Sequence, residues 1–123
     1  MNEREARVDG GGLREEPVAA VDRRDGAIVV RLVGELDLYN ADTLRAALFG
    51  AAAETPERLV VDLADVRFID STALGVLVET RSRVEAFLLA APALETRRAL
   101  QVSGLDRHFA VHGTVEDALA ATP

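Results

Sequence analysis

The chain has 123 residues, 49% of them apolar, and a formal charge of −7 from 14 basic and 21 acidic side chains. That length fits one domain with a real core, and the acidic balance disfavours a nucleic-acid partner, whose phosphates must be met by clustered cations. All fourteen basic residues are arginine and cysteine is absent, which excludes lysine Schiff bases, a P-loop lysine, disulfides, thiol nucleophiles and cysteine-ligated zinc.

Residues 1–16 alternate charge around Gly10-Gly11-Gly12 without periodicity and read as a disordered charged leader. They hold no apolar stretch of a signal peptide, and no run of about 18 apolar residues exists to span a membrane. The expected domain is residues 17–121, cytoplasmic. Val18 to Val21, followed by the turn Arg23-Arg24-Asp25-Gly26, can pair as a hairpin with the first clear strand, Ala27–Leu36. In that strand Ile28, Val30, Leu32 and Leu36 share one face; Val29, Arg31, Val33 and Glu35 take the other.

The period then changes. Leu44, Ala47, Leu48 and Ala51 make one stripe of a helix, with Asn40 or Asp42 as cap and Gly50 or Thr55-Pro56 as its end. Leu59-Val60-Val61-Asp62-Leu63 is the nearly continuous apolar run of a strand covered on both faces, and the chain stays extended from Val66 to Ile69. Asp70-Ser71 supplies two cap-type residues for a second helix carrying Leu74, Leu77, Val78 and Val84. The stretch from Val76 to Ala91 contains no Gly, Pro, Asn or Asp. Either the helix ends near Glu85 and Phe87-Leu88-Leu89 is a strand, or one helix runs towards Pro92; alternation of helices with short apolar strands favours the strand. Pro92 in a first turn and Gly104 past the end bracket a third helix. His108 to His112 is a last short strand, and Thr114 with Asp117 opens a final helix.

Enzyme constellations are missing: no G-x-S-x-G elbow, no G-x-G-x-x-G after a strand, no H-E-x-x-H. His108 and His112, four apart, could share a metal only with further ligands, and Asp106 is thin support. Asp62, Asp65 and Asp70 could gather at the carboxyl end of the central strand, where open α/β sheets place their sites. They could then serve a metal or a small hydrolase. The plainer reading is turn and cap chemistry. Ser71 stands at a helix start, where unpaired amides and a partial positive charge accommodate a phosphate. It can equally be a cap worth about 1 kcal/mol, and one hydroxyl can do both.

Gly34-Glu35-Leu36-Asp37, taken with Val61-Asp62-Leu63-Ala64-Asp65-Val66-Arg67-Phe68-Ile69-Asp70-Ser71-Thr72-Ala73-Leu74-Gly75, resembles the STAS domain, specifically the bacterial anti-sigma factor antagonists. The resemblance covers about residues 17–121 and extends to Val102-Ser103-Gly104-Leu105-Asp106. It implies an α/β fold, a single domain with a mixed central sheet of four to five strands and about four helices. It also implies a regulator without enzymatic activity, cofactor or metal. The unphosphorylated form would bind an anti-sigma factor that is itself a serine kinase and so free a sigma factor. Phosphorylation would switch binding off, and a separate serine phosphatase would restore it. The acceptor maps to Ser71, with Thr72 a minor candidate, and the partner surface to Asp37, Asp70, Ser71, Thr72, Leu74 and Gly75. The oligomeric state expected is a monomer or weak dimer. An alternative within the same resemblance is a scaffold or ligand-binding STAS domain, in a stress-signalling complex or as a lipid-transport accessory, without a phospho-switch. Two departures stand out: Ala73 replaces the family's usual glycine, with Thr72 where a second serine is common, and about four residues are missing around Arg83-Val84-Glu85.

Overall fold

The computed structural model describes residues 16–122, so the expected leader lies outside the described residues except for Glu16. The chain runs β1 (Val18–Arg24), β2 (Ala27–Leu36), α1 (Ala41–Ala53), β3 (Arg58–Ile69), α2 (Ser71–Arg81), β4 (Phe87–Ala90), α3 (Leu94–Ser103), a 3₁₀ turn (Leu105–Arg107), β5 (Ala110–His112) and α4 (Val115–Ala120). The five strands form one sheet in sequence order, with β1 antiparallel to β2 and every later pair parallel. Asp25 (φ 49°) and Gly26 (φ 83°) make the β1–β2 turn; two successive left-handed residues match the twist of the paired strands.

This order places the helices. From β2 to β5 each crossover steps to the next strand in the same direction, and right-handed crossovers then put all three helices on one face. The packing agrees. Leu44 and Leu48 of α1, Val76 and Leu77 of α2 and Leu100 of α3 bury into one core with Ile28, Val30, Leu32, Val61 and Leu89 of the sheet. The other face carries a smaller cluster of Val29, Val60, Leu88 and Ala90, closed by Ala118 of α4. Because β3 and β4 are covered on both faces, their apolar residues run nearly continuously rather than alternating.

Two register shifts between β2 and β3 reshape the upper half of β3. Arg31 pairs Asp62 but Val33 pairs Asp65, and Gly34 pairs Val66 but Glu35 pairs Phe68, so β3 carries an extra residue at each place. Bulges bend and re-aim a strand. Beyond Leu63 the buried residues are therefore three apart, at Val66 and Ile69, and Ala64, Asp65, Arg67 and Phe68 stay exposed. Opposite the second shift, Gly34 adopts φ 81°, a conformation that a side chain makes costly.

Several local expectations change. The apolar run at 59–63 and the extended piece at 66–69 are one strand. Of the two expected ends of helix α1, Gly50 is passed, since it faces open space, and the helix stops at Ala53, just before Thr55-Pro56. Helix α2 ends at Arg81, and Val84 lies in the following turn, packed against the core. Val78 is 43% exposed because it falls just outside the arc of Ala73, Leu74, Val76, Leu77 and Thr80. Phe87–Ala90 is the fourth strand, fully buried, so the strand reading of that stretch holds. Pro92 precedes α3, whose first residue is Leu94. His108 closes the 3₁₀ turn, and β5 starts at Ala110. Gly104, at φ 78°, ends α3 as its position suggested. The Thr114 side chain accepts from the Asp117 amide at 3.0 Å, as the capping spacing implied.

Candidate functional site

The carboxyl ends of β2 and β3 lie side by side, with Leu36 paired to Ile69 and the Asp70 amide donating to the Leu36 carbonyl at 3.0 Å. Open parallel sheets present functional loops at this edge. Here it carries the Asp37–Asn40 loop from one strand and the start of α2 from the other.

Asp70 is the N-cap of α2: its Oδ1 accepts from the Ala73 amide at 2.9 Å. Its Oδ2 accepts from the Leu38 amide at 3.1 Å, across 32 residues of sequence. One carboxylate thus holds both loops. The Asp37–Asn40 loop is further closed by its own side chains. Asp37 Oδ1 accepts from the Tyr39 amide at 3.0 Å, and Asn40 Oδ1 accepts from the Asp37 amide at 2.9 Å. Asn40 Nδ2 donates to the Glu35 carbonyl at 2.7 Å. Asn40 is the N-cap residue of α1 by position, but its side chain makes no capping bond to that helix and turns back to tie the loop to β2.

Ser71, the first residue of α2, is exposed, and Thr72 beside it is half-buried. Asp37 and Asp70 are both half-buried. These four therefore converge on one edge. Leu74 does not reach the surface: at 6% exposure it packs into the main core and supports the face from beneath. Gly75 is half-buried, and a side chain added there would meet nothing within 4 Å. Ala73, at the position of the usual glycine, is fully buried and donates its amide to the cap, so the alanine is compatible with a regular first turn.

Two residues of this edge were not anticipated as site residues. Leu38 is 65% exposed and Tyr39 83% exposed, a pair of large apolar side chains in a loop otherwise held by polar bonds. Their signal was a Leu-Tyr step between Asp37 and Asn40, after the strand alternation stops and before the helical stripe begins. Nothing local shows whether such a step is buried by the next helix.

The three aspartates of the candidate acidic cluster are separately engaged. Asp62 accepts from the Ala64 amide at 3.1 Å, Asp65 pairs with Arg31, and Asp70 caps α2. The hydrogen bond to Asp65 and its charge raise the Arg31 pKa above its ordinary value. Arg67 pairs with Glu35 at 2.9 Å on the neighbouring strand. His108 is exposed, whereas the Nε2 of His112 is buried with no hydrogen-bond partner among the described residues. Among the described residues no three His, Asp or Glu side chains gather to hold a metal ion. A shallow cleft of about 550 Å³ runs between the bulged half of β3 and the start of α3, lined by Asp65, Arg67, Leu94 and Glu95. Ser71 does not line this cleft. No helix among the described residues is long and apolar enough to cross a membrane.

Comparison with known proteins places the chain in a family. The STAS domain family model aligns with residues 19–118. The chain is 35% identical to the anti-sigma-F factor antagonist RsfB of Mycobacterium tuberculosis over 98 residues, 77% of this chain and 80% of that protein. It is 31% identical to RsfA, another anti-sigma-F factor antagonist of the same organism, over 85% of this chain and 86% of that one. The crystal structure of an anti-sigma factor antagonist from Mycobacterium paratuberculosis superposes with a TM-score of 0.77 at 35% identity, covering 82% of this chain and 89% of that chain. With the family model matched over residues 19–118 and relatives 31–35% identical over most of both chains, the chain belongs to the STAS domain family.

Proposed function

We propose that this protein is an anti-sigma factor antagonist whose unphosphorylated form binds an anti-sigma factor with serine-kinase activity, and that phosphorylation of Ser71 switches that binding off. The observation that carries the reading is the position of Ser71: an exposed hydroxyl on the first residue of α2, directly after the capping Asp70, in a chain whose relatives RsfB and RsfA are anti-sigma-F factor antagonists. In the kinase, Ser71 Oγ takes the terminal phosphoryl group of ATP, giving up its proton and releasing ADP. A serine phosphatase returns the hydroxyl by hydrolysis to inorganic phosphate. Asp37, Asp70 and Thr72 line the partner-facing edge, with Leu74 supporting it.

The switch needs no refolding. A phosphoserine adds roughly −1.5 to −2 charges at pH 7, which the amide-rich start of a helix tolerates while water solvates the rest. In a complex the same charge would be desolvated beside the carboxylates of Asp37 and Asp70, and repulsion together with lost hydration opposes binding. A penalty of about 3 kcal/mol weakens an affinity more than a hundredfold.

The test is calorimetric titration of Ser71→Ala and Ser71→Glu chains with the purified anti-sigma kinase of the same cell. The alanine chain should bind as the unphosphorylated protein does and the glutamate chain far more weakly. Equal affinities would remove the phospho-switch and leave a constitutive interface of the scaffold kind.

A further inference from the structure

The Asp70 carboxylate is placed differently from an ordinary helix cap. Such a cap needs one acceptor oxygen, for the second or third amide of its own helix. Asp70 uses Oδ1 for that, on the Ala73 amide, and spends Oδ2 on the Leu38 amide of the neighbouring loop. Leu38 N–H gains its acceptor from another element, while the rest of the loop is held by Asp37 and Asn40. The residue that follows Asp70 is the exposed Ser71, and the residues that follow the bonded amide are the exposed Leu38 side chain itself and Tyr39.

We infer that Asp70 is a positioning residue: its second oxygen sets the Leu38–Tyr39 loop against the Ser71 helix, and a phosphate on Ser71 acts on that loop through Asp70. This rests on the Ser71 reading above and adds how the modification is read. A dianionic group on the adjacent residue repels the Asp70 carboxylate, whose two bonds are 2.9 Å to the Ala73 amide and 3.1 Å to the Leu38 amide. The local helical bond to Ala73 lies within the phosphate's own turn, whereas the bond to Leu38 spans two loops and is the one that gives way. The apolar pair is then no longer presented in the arrangement of the unphosphorylated protein.

Amide exchange on the full chain, followed by NMR, tests this without any partner. Phosphoserine installed at position 71 during translation should speed exchange of the Leu38 amide by about tenfold. Asp70→Ser keeps a cap oxygen of equal rank for α2 but has no second oxygen for Leu38. It should show the same acceleration at Leu38 with the Ala73 amide still protected. Adding phosphoserine 71 to Asp70→Ser should change Leu38 exchange no further, as expected when two changes act through one contact. Unchanged Leu38 exchange in either single variant overturns the inference, as does an equal acceleration by phosphoserine in both backgrounds. If Asp70→Ser does not fold, the phosphoserine arm decides alone. The exchange result is independent of partner affinity: the two Ser71 variants can differ in binding while Leu38 stays unmoved, and the reverse.

Discussion

The guanidinium of Arg58, the first residue of β3, donates to the carbonyl of Ala118 and also to that of Leu119, each at 2.8 Å, in the last turn of α4. A six-residue helix has little stability of its own, and its final carbonyls lack the i+4 amides of a longer helix, Ala118 keeping only a 3.4 Å bond from the Ala121 amide. A half-buried cation adds shorter bonds to both carbonyls here and docks the helix over Val29, Val60 and Leu88. Arg58→Ala should cost about 1.5–3 kcal/mol, the range for hydrogen bonds that involve a charged group. It should also speed amide exchange in α4 while the centres of β2 and β3 stay protected. Urea titration and exchange mass spectrometry check both parts; an unmoved midpoint would mean that apolar contacts alone hold α4.

Gly34 sits inside β2 at φ 81°, buried and paired to Val66 where the register shifts. Gly34→Ala should therefore destabilise the fold by at least about 1 kcal/mol, the cost of forcing an L-residue into the left-handed region. Gly113→Ala is the control: exposed, and open within 4 Å of an added Cβ, it should stay within about 0.5 kcal/mol of the parent. Equal effects in thermal melts would show that the strand relaxes around position 34.

On α3, Leu100 is 1% exposed in the main core and Val102 is 89% exposed. Leu100→Ala should cost about 2–5 kcal/mol, from lost burial and the cavity left behind. Val102→Ser should be within about 0.5 kcal/mol of neutral. Denaturant midpoints of the two variants separate these outcomes.

Glu54, just past α1, receives two hydrogen bonds from Arg23 of β1, at 2.7 and 2.5 Å. Those bonds, and then the Arg23 charge, hold its carboxyl below the ordinary glutamate value of 4.5. A carboxylate depressed in the native state stabilises the fold above the unfolded pKa and loses that contribution as pH falls through the native one. Stability of the parent should thus fall more steeply below pH 4.5 than that of Glu54→Gln. Both side chains are exposed, so the difference should be small and should shrink with added salt. Superimposable stability–pH curves at low salt would show that the pair contributes nothing.

Much of the site was legible because its chemistry is local. An aspartate before a serine at the start of an apolar stripe is a helix entry whatever the rest of the chain does, and Asp70 caps α2 accordingly. Exposure was less legible. Leu74 and Val78 both fit one helical stripe, yet Leu74 is buried and Val78 is 43% exposed, since the width of the buried arc depends on how α2 sits against α1 and the sheet. Nor could spacing show that Asn40 would turn from its own helix to hold Asp37 and Glu35.

What the sequence determined by itself was the set of elements and the chemistry at their ends. The alternation in Ala27–Leu36, the apolar run at Leu59–Leu63, the Asp70-Ser71 entry and the Gly104 exit all act within a turn or a strand, where neighbours in sequence are neighbours in space. Tertiary structure decided what those ends do to one another. The Asp70–Leu38 bond spans 32 residues and the Arg58–Ala118 bond spans 60. The bulges in β3 exist only against the register of β2. Such contacts form when parallel strands are laid side by side, and no pattern within a single segment encodes which partner will lie across from it.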